Sequence, residues 1–147
     1  MLITGRFTRT IDDKQRVAIP KPIRETLENV GKPCLYLLPG TDSAIAGYTE
    51  EGMERLSEKL REHSPVNRDV RSYTRMLYAR THRVGLDKQG RIRIPDELAT
   101  LAGIVSDIML IGVGDHLELW SPSAWQKFYE EAEPKYDKLA ETALGAT

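Results

Sequence analysis

The chain has 147 residues and a formal net charge of −1, with 21 lysines and arginines against 22 aspartates and glutamates. No apolar run approaches the roughly 20 residues that a membrane-spanning helix needs, and residues 1–6 lack the apolar segment of a signal peptide. The single cysteine, Cys34, allows no internal disulfide, so we expect a cytoplasmic protein with Cys34 buried and no membrane partner.

Two segments of the chain share one pattern. Residues 12–20, DDKQRVAIP, align without a gap with residues 87–95, DKQGRIRIP, at a constant offset of 75 residues. Such repetition predicts two copies of one structural unit. Units of about 70 residues are marginal on their own, so we expect the two copies to share a core or to rely on other subunits.

The first unit, residues 1–63, is predicted to begin with a strand, a charged turn and a second strand. Pro20 then opens a helix that Gly31 ends, and a longer helix over about 49–62 with Thr49 as its cap closes the unit. The predicted strands are 2–11, 16–19, 34–38 and 43–48.

The second unit, residues 79–133, repeats this order of elements. Pro95 opens its short helix, Gly103 ends that helix, and a longer helix over about 121–133 follows. The predicted strands are 79–86, 91–94, 108–112 and 116–120. Beyond the first helix the offset between the copies falls from 75 to 72, so the second copy is three residues shorter in its middle.

Residues 64–78 are predicted to form a connecting helix, capped by Ser64 with Pro65 in its first turn, and residues 134–147 a C-terminal tail with the pattern of a frayed helix. One face of the connecting helix is apolar and the other carries three arginines. The basic face fits either a solvated bridge between the units or an additional surface for phosphates or subunits. Its residues are Arg68, Arg71 and Arg75.

Charge is distributed unevenly along the chain. Residues 1–24 contain six basic and two acidic side chains, and residues 68–94 contain eight basic and two acidic ones. From residue 115 onward there are three basic and seven acidic side chains. Positive charge therefore gathers around the repeated motif, and a local basic patch attracts phosphates whatever the net charge of the whole chain.

Signatures of an enzyme are weak. The three histidines and Cys34 lack the spacing of metal ligands. Asp12 and Asp13 are neighbours on a turn, whereas a catalytic acid–base pair needs two carboxylates that face each other in a pocket. We therefore expect no catalytic residue, no metal, no cofactor and no small-molecule substrate.

The repeated motif combines structural and exposed residues. Asp12 and Asp87 are predicted to form the turns, and the alternating apolar residues that follow to enter a core. Arg16 and Arg91 either pair with these aspartates or bind a partner. Because arginine offers a planar fork of donors and a two-stranded ribbon can enter the major groove of DNA, the repeated motif favours a nucleic-acid contact.

The chain resembles one bacterial family in this motif. The pattern Asp12-x-Lys14-x-Arg16-x-x-x-Pro20-x-x-x-Arg24, repeated as Asp87-x-x-Gly90-Arg91-x-x-x-Pro95, resembles the signature of the MraZ family. That family is a branch of the AbrB/SpoVT-like DNA-binding superfamily, and the resemblance covers essentially the whole chain. It implies an α+β fold in which two tandem swapped-hairpin β-barrel halves form one pseudo-twofold barrel with flanking helices.

The resemblance also implies a function. It implies a nucleoid-associated, ring-like homo-oligomer that binds double-stranded DNA sequence-specifically and regulates transcription. The expected targets are short direct repeats upstream of its own operon in the division and cell-wall gene cluster. The DNA-binding residues that it implies, together with basic neighbours of the second motif, are Arg9, Lys14, Arg16, Arg24, Arg83, Arg91 and Arg93.

The chain departs from the family pattern at three positions. Gln15 stands where the first motif usually has glycine, and Ala99 replaces the closing arginine of the second motif. In the second copy, Val84 holds the position that corresponds to Arg9 in the first. We therefore expect the first turn to have the more complete basic frame, with Arg83 and Arg93 as substitutes in the second. Two alternatives remain open: an antitoxin-like module that acts with a protein partner, and a structural oligomer or ligand-binding barrel without DNA affinity.

Overall fold

The computed structural model describes residues 2–28 and 32–145. These residues form eight strands and six α-helices, which confirms the α+β class. The elements are β1 (Arg6–Thr10), β2 (Arg16–Ala18), α1 (Lys21–Glu28), β3 (Cys34–Pro39), β4 (Ile45–Tyr48), α2 (Glu50–Arg61), α3 (Arg68–Ala79), β5 (His82–Gly85), β6 (Arg91–Arg93), α4 (Asp96–Ala102), β7 (Asp107–Gly112), β8 (Leu117–Trp120), α5 (Pro122–Ala132) and, after a short 3-10 helix (Glu133–Lys135), α6 (Tyr136–Ala143).

The strands form two antiparallel sheets in which the repeated units exchange strands. One sheet has six strands in the order β1-β7-β8-β4-β3-β5, and the other is a two-stranded ribbon of β2 and β6. The first strand of each unit pairs with the third strand of the other, β1 with β7 and β5 with β3. Replacing each strand by its counterpart leaves the order unchanged, so neither unit completes its sheet alone.

The register of the strands has the same symmetry. Val17 pairs with Ile92 at the centre of the ribbon, and Ala46 pairs with Glu118 between the central strands β4 and β8. Counterparts lie 75 residues apart in the ribbon, 73 apart in β3 and β7, as Leu35 and Ile108 are, and 72 apart in β4 and β8. The second copy therefore lacks two residues before its third strand and one in the following hairpin turn.

A single core lies between the large sheet, the ribbon and the two short helices α1 and α4. Alternation along β2 and β6 turns Val17 and Ile92 inward, and both are at most 1% exposed. Ile23 and Leu27 of α1 and Leu98 of α4 fill the ends of the same cluster. The two units thus share one core, as the marginal size of each predicts.

The opposite face of the large sheet is covered by the longer helices. Leu38 and Met53 pack with Leu77 beneath α2 and α3, and Trp120 packs with Trp125 beneath α5. These aromatic and methionine side chains form structural clusters, as their helical spacing predicts. Cys34 is buried, as expected.

The connecting segment differs from its predicted form, a helix over 64–78. The helix begins at Arg68, because the Asn67 side chain caps it by accepting from the N–H groups of Asp69 and Val70. Ser64 therefore does not cap the helix, and Val66 is 81% exposed rather than part of the apolar face. In the predicted tail, 134–147, the chain forms the 3-10 helix and α6, and the predicted end of the first helix at Gly31 lies outside the described residues.

Candidate nucleic-acid interface

The first turn is organised by one carboxylate. Asp12 Oδ1 accepts from the backbone N–H groups of Lys14, at 2.9 Å, and Arg16, at 2.8 Å, while Asp12 Oδ2 accepts from Arg16 Nε at 2.8 Å. These bonds, above all the one from the Arg16 backbone, hold the pKa of the Asp12 carboxyl below its usual value. Asp12 therefore forms the turn and holds the arginine through Nε rather than through its two terminal nitrogens.

The second turn repeats this arrangement almost atom for atom. Asp87 Oδ1 accepts from the N–H groups of Gln89 and Arg91 at 2.9 Å, and Oδ2 accepts from Arg91 Nε at 2.9 Å. The Arg91 backbone is again the main cause of a lowered pKa at the Asp87 carboxyl. The interpretation of Arg16 and Arg91 as partners of these aspartates is confirmed, and their contact with a nucleic acid stays a prediction.

The ribbon places the arginines of both motifs on one outward face. Residues on either side of the buried Val17–Ile92 pair point away from the core, and they pair as Arg16 with Arg93 and Ala18 with Arg91. Arg91 Nη1 also lies 3.7 Å from Asp12 Oδ2, so the arginine of the second turn forms an ion pair with the aspartate of the first.

The two turns differ at the residue before the arginine. Gln15 has φ +63° and Gly90 has φ +74°, so both adopt the left-handed conformation that glycine tolerates best. Gln15 therefore holds a backbone conformation that is strained for a residue with a Cβ atom. Its side-chain Oε1 is buried and has no hydrogen-bond partner among the described residues.

Arg24 lies against the second turn rather than the first. A Cβ atom at Gly90 would collide with Cδ and Nη1 of Arg24, and Arg24 Nη1 donates to the carbonyl oxygen of Gln89 at 3.4 Å. The expectation that Arg24 flanks the first turn is therefore wrong. The cause is the exchange between units, which packs α1 of the first unit beside the turn of the second.

The same exchange moves Arg93 to the first turn. Arg93 pairs with Arg16 on the ribbon. The prediction that Arg93 supplies a missing basic residue at the second turn is therefore wrong. Arg93 lines a shallow depression, named here the first cleft, with Asp13, Lys14, Gln15, Arg16 and Asp96. The prediction that the first turn has the more complete set of basic neighbours is thus wrong. Asp96, at the start of α4, lies at the first turn, whereas Arg24 lies at the second.

Arg9 and Arg83 lie on the edge strands of the large sheet. Arg9, on β1, stacks over the Phe7 ring at 5.7 Å and donates to the carbonyl of Thr8. Arg83, on β5, pairs with Tyr36 of β3. The electrostatic effect of Cys34, and after it a hydrogen bond with Tyr36, raises the pKa of the Arg83 guanidinium. Both arginines therefore belong to the flanks rather than to the ribbon.

The basic face of the connecting helix has a partly structural role. Arg71 Nη1 donates to the carbonyl oxygens of Pro65, at 2.9 Å, and Val66, at 2.7 Å, and so closes the turn before α3. Two further basic residues, Lys21 and Lys88, hold the positions of the second copy that correspond to the lining of the first cleft, and neither was among the predicted DNA-binding residues. Alignment of the repeats marks them, since their counterparts are Asp96 and Asp13, which line the first cleft.

Across the described residues, 2–28 and 32–145, no group of three metal-ligating side chains comes together. Over the same ranges no helix is long and apolar enough to cross a membrane.

Comparison with known proteins gives a consistent result. A family model described as "MraZ protein, putative antitoxin-like" matches residues 77–146. A "Transcriptional regulator MraZ" of Mesoplasma florum is 33% identical over 142 residues, which cover 97% of this chain and 95% of the relative. Proteins of the same name from Ligilactobacillus salivarius and Limosilactobacillus reuteri are 33% and 36% identical, and each alignment covers at least 95% of both chains.

Proposed function

Because the chain belongs to the MraZ family of transcriptional regulators, we propose that it binds double-stranded DNA through the outward face of the β2–β6 ribbon. The main support is the pair of equivalent turns, each of which holds an arginine by a hydrogen bond from its Nε. Of the outer nitrogens of the two arginines, Arg91 Nη1 lies 3.7 Å from Asp12 Oδ2, within ion-pair range. A ribbon of this kind can enter the major groove, where arginine recognises phosphate oxygens and guanine edges. Arg16 and Arg91 would make the central contacts.

The proposed targets are short direct repeats upstream of the operon that encodes the protein, within the division and cell-wall gene cluster. The symmetric strand order supports a pseudo-twofold barrel built from two swapped-hairpin halves. A ring-like homo-oligomer would place several ribbons along repeated sites, and the raised effective concentration would compensate for weak single contacts. Arg9 and Arg83 would contribute at most from the flanks, and Lys14 and Arg93 from the first cleft.

Salt-dependent DNA binding tests this proposal. Fluorescence anisotropy of the upstream duplex, compared with an unrelated duplex, should give an affinity that falls steeply with salt, by about 0.9 log units per log unit of salt for each phosphate contact. The double variant Arg16→Ala with Arg91→Ala should reduce both the affinity and that slope. Arg55→Ala provides a matched control, because Arg55 is exposed on α2 and pairs with Glu51.

A conservative variant separates charge from recognition. Arg16→Lys with Arg91→Lys keeps the charge but loses the planar fork, so binding to the unrelated duplex should persist while preference for the upstream duplex falls. Equal binding by the parent and the double alanine variant would refute the assignment of these arginines.

The family description also favours a second candidate, an antitoxin-like module that acts with a protein partner. Co-purification of the protein with the product of a neighbouring gene, and loss of that product's toxicity on co-expression, would support it. Neither result is expected if DNA binding alone is the function.

A further inference from the structure

The two turns have the same backbone but unlike surroundings. The first cleft contains Gln15, and the counterpart position on the other side is Gly90, whose missing side chain leaves the space that Arg24 occupies. Ala99, the counterpart of Arg24, is a small buried residue. Two of the three departures from the family pattern, Gln15 and Ala99, are thus the counterparts of Gly90 and Arg24, so the longer side chain belongs to the turn in one copy and to the helix in the other.

This exchange makes the two sides electrostatically unequal. With the turn aspartate included, the first cleft has three acidic side chains, Asp12, Asp13 and Asp96, and three basic ones, Lys14, Arg16 and Arg93. The surface around the second turn, named here the second cleft, is defined by the repeat counterparts of the residues around the first cleft, together with Arg24, and it has one acidic side chain and four basic ones. These are Asp87, and Lys21, Arg24, Lys88 and Arg91.

Exposed carboxylates on α1 reduce this difference without removing it. Glu28 Oε1 lies 3.6 Å from Arg24 Nε, and Glu25 Oε1 lies 4.0 Å from Lys21 Nζ. Both glutamates are more than half exposed, and such surface pairs are weak. Even with both counted, basic residues outnumber acidic ones in the second cleft, whereas they are equal in the first.

Arg24 is also positioned before any partner binds. Its side chain is 29% exposed, packs over Gly90 and donates to the Gln89 carbonyl. The side chain of Arg93, the extra arginine of the first cleft, makes no hydrogen bond or ion pair within residues 2–28 and 32–145. Ordering a free arginine on binding costs side-chain entropy that a fixed one has already lost.

Building on the proposed DNA binding, we propose that the second cleft is the principal phosphate-binding site of the ribbon, with Arg24, supplied by the first unit, at its centre and Lys21 and Lys88 beside it. The first cleft contributes less to affinity. Each protomer then binds DNA in one orientation, because rotation about its pseudo-twofold axis would place the neutral first cleft where the cationic second cleft had been.

Two matched charge removals test this inference. Arg24→Gln and Arg93→Gln each remove one guanidinium and keep most of the side-chain stem, and Arg55→Gln on α2 is the control. In anisotropy titrations of the upstream duplex over a range of salt, Arg24→Gln should reduce the log–log slope by about 0.9, and Arg93→Gln by less than about half as much.

A gain-of-function variant guards against effects on folding. Gln15→Gly with Ala99→Arg recreates the second-turn arrangement at the first turn and should steepen the slope by about 0.9. Ala99→Arg alone should give no such gain, because Gln15 still fills the space.

The outcomes separate this inference from the proposed function. If the parent protein shows no salt-dependent binding, DNA binding itself is refuted and the inference with it. The inference is wrong, while the proposed function stands, if the parent binds but Arg93→Gln reduces the salt slope as much as Arg24→Gln does. The same holds if Gln15→Gly with Ala99→Arg does not steepen that slope. A larger loss with Arg24→Gln together with the gain supports the inference.

Discussion

Replacement of Gln15 by glycine should stabilise the protein. Gln15 has φ +63°, a conformation that costs a residue with a Cβ roughly 1–2 kcal/mol, of which the greater freedom of unfolded glycine offsets about 0.5–1 kcal/mol. Removing the buried, unpaired Oε1 gains about 1 kcal/mol more, and the lost packing of the side-chain stem costs a similar amount. The net gain in the free energy of unfolding is about 1 kcal/mol.

Comparison with alanine isolates the backbone contribution. Gln15→Ala removes the amide but keeps the Cβ, so it should be about 1 kcal/mol less stable than Gln15→Gly. The neighbouring Lys14 is exposed and is not among the residues with positive φ, so there the order should reverse, with Lys14→Ala more stable than Lys14→Gly. The pair of substitutions at Lys14 is therefore a control of opposite sign.

Urea denaturation followed by the fluorescence of Trp120 and Trp125 measures these differences. Protein concentration is held constant, because self-association would add to the apparent stability. A gain of 1 kcal/mol should also raise the thermal midpoint by about 3 °C. If alanine and glycine at position 15 prove equally stable, or alanine is better, the argument from backbone strain is wrong.

Three further predictions concern the core, a helix cap and the turns. Ile92→Ala should lower the free energy of unfolding by about 2–5 kcal/mol in urea, and a loss under about 1 kcal/mol would contradict the packing of the ribbon. Thr49→Ala removes the buried cap of α2 and should cost about 0.5–2 kcal/mol in the same assay, whereas Thr49→Ser should retain most of the stability. Because backbone hydrogen bonds from the turn arginines lower the pKa of the Asp12 and Asp87 carboxyls, their stabilisation should be complete above about pH 4 and be lost as pH falls through the lowered pKa. Urea midpoints from pH 2 to 7 should show this loss, and Asp12→Asn with Asp87→Asn should weaken that pH dependence.

Local sequence determined the repeat, the turns and most of the strands and helices. The aspartate and arginine of each turn are four residues apart, and the bonds that organise the turn all lie within that span. Caps and prolines likewise act on neighbouring residues, so the positions of α1 and α4 could be predicted. The error at Ser64 arose within the same local range, because Asn67 competed as a cap and its side chain satisfied the first N–H groups of α3.

Only the tertiary structure decided which unit completes which turn. The pairings of β1 with β7 and of β3 with β5 join residues far apart in the chain, and two similar units can satisfy the same apolar pattern with their own strands or with each other's. The exchange carried Arg24 to the second turn and Arg93 to the first. The sequence therefore specified two basic turns, while long-range strand pairing determined their unequal charge.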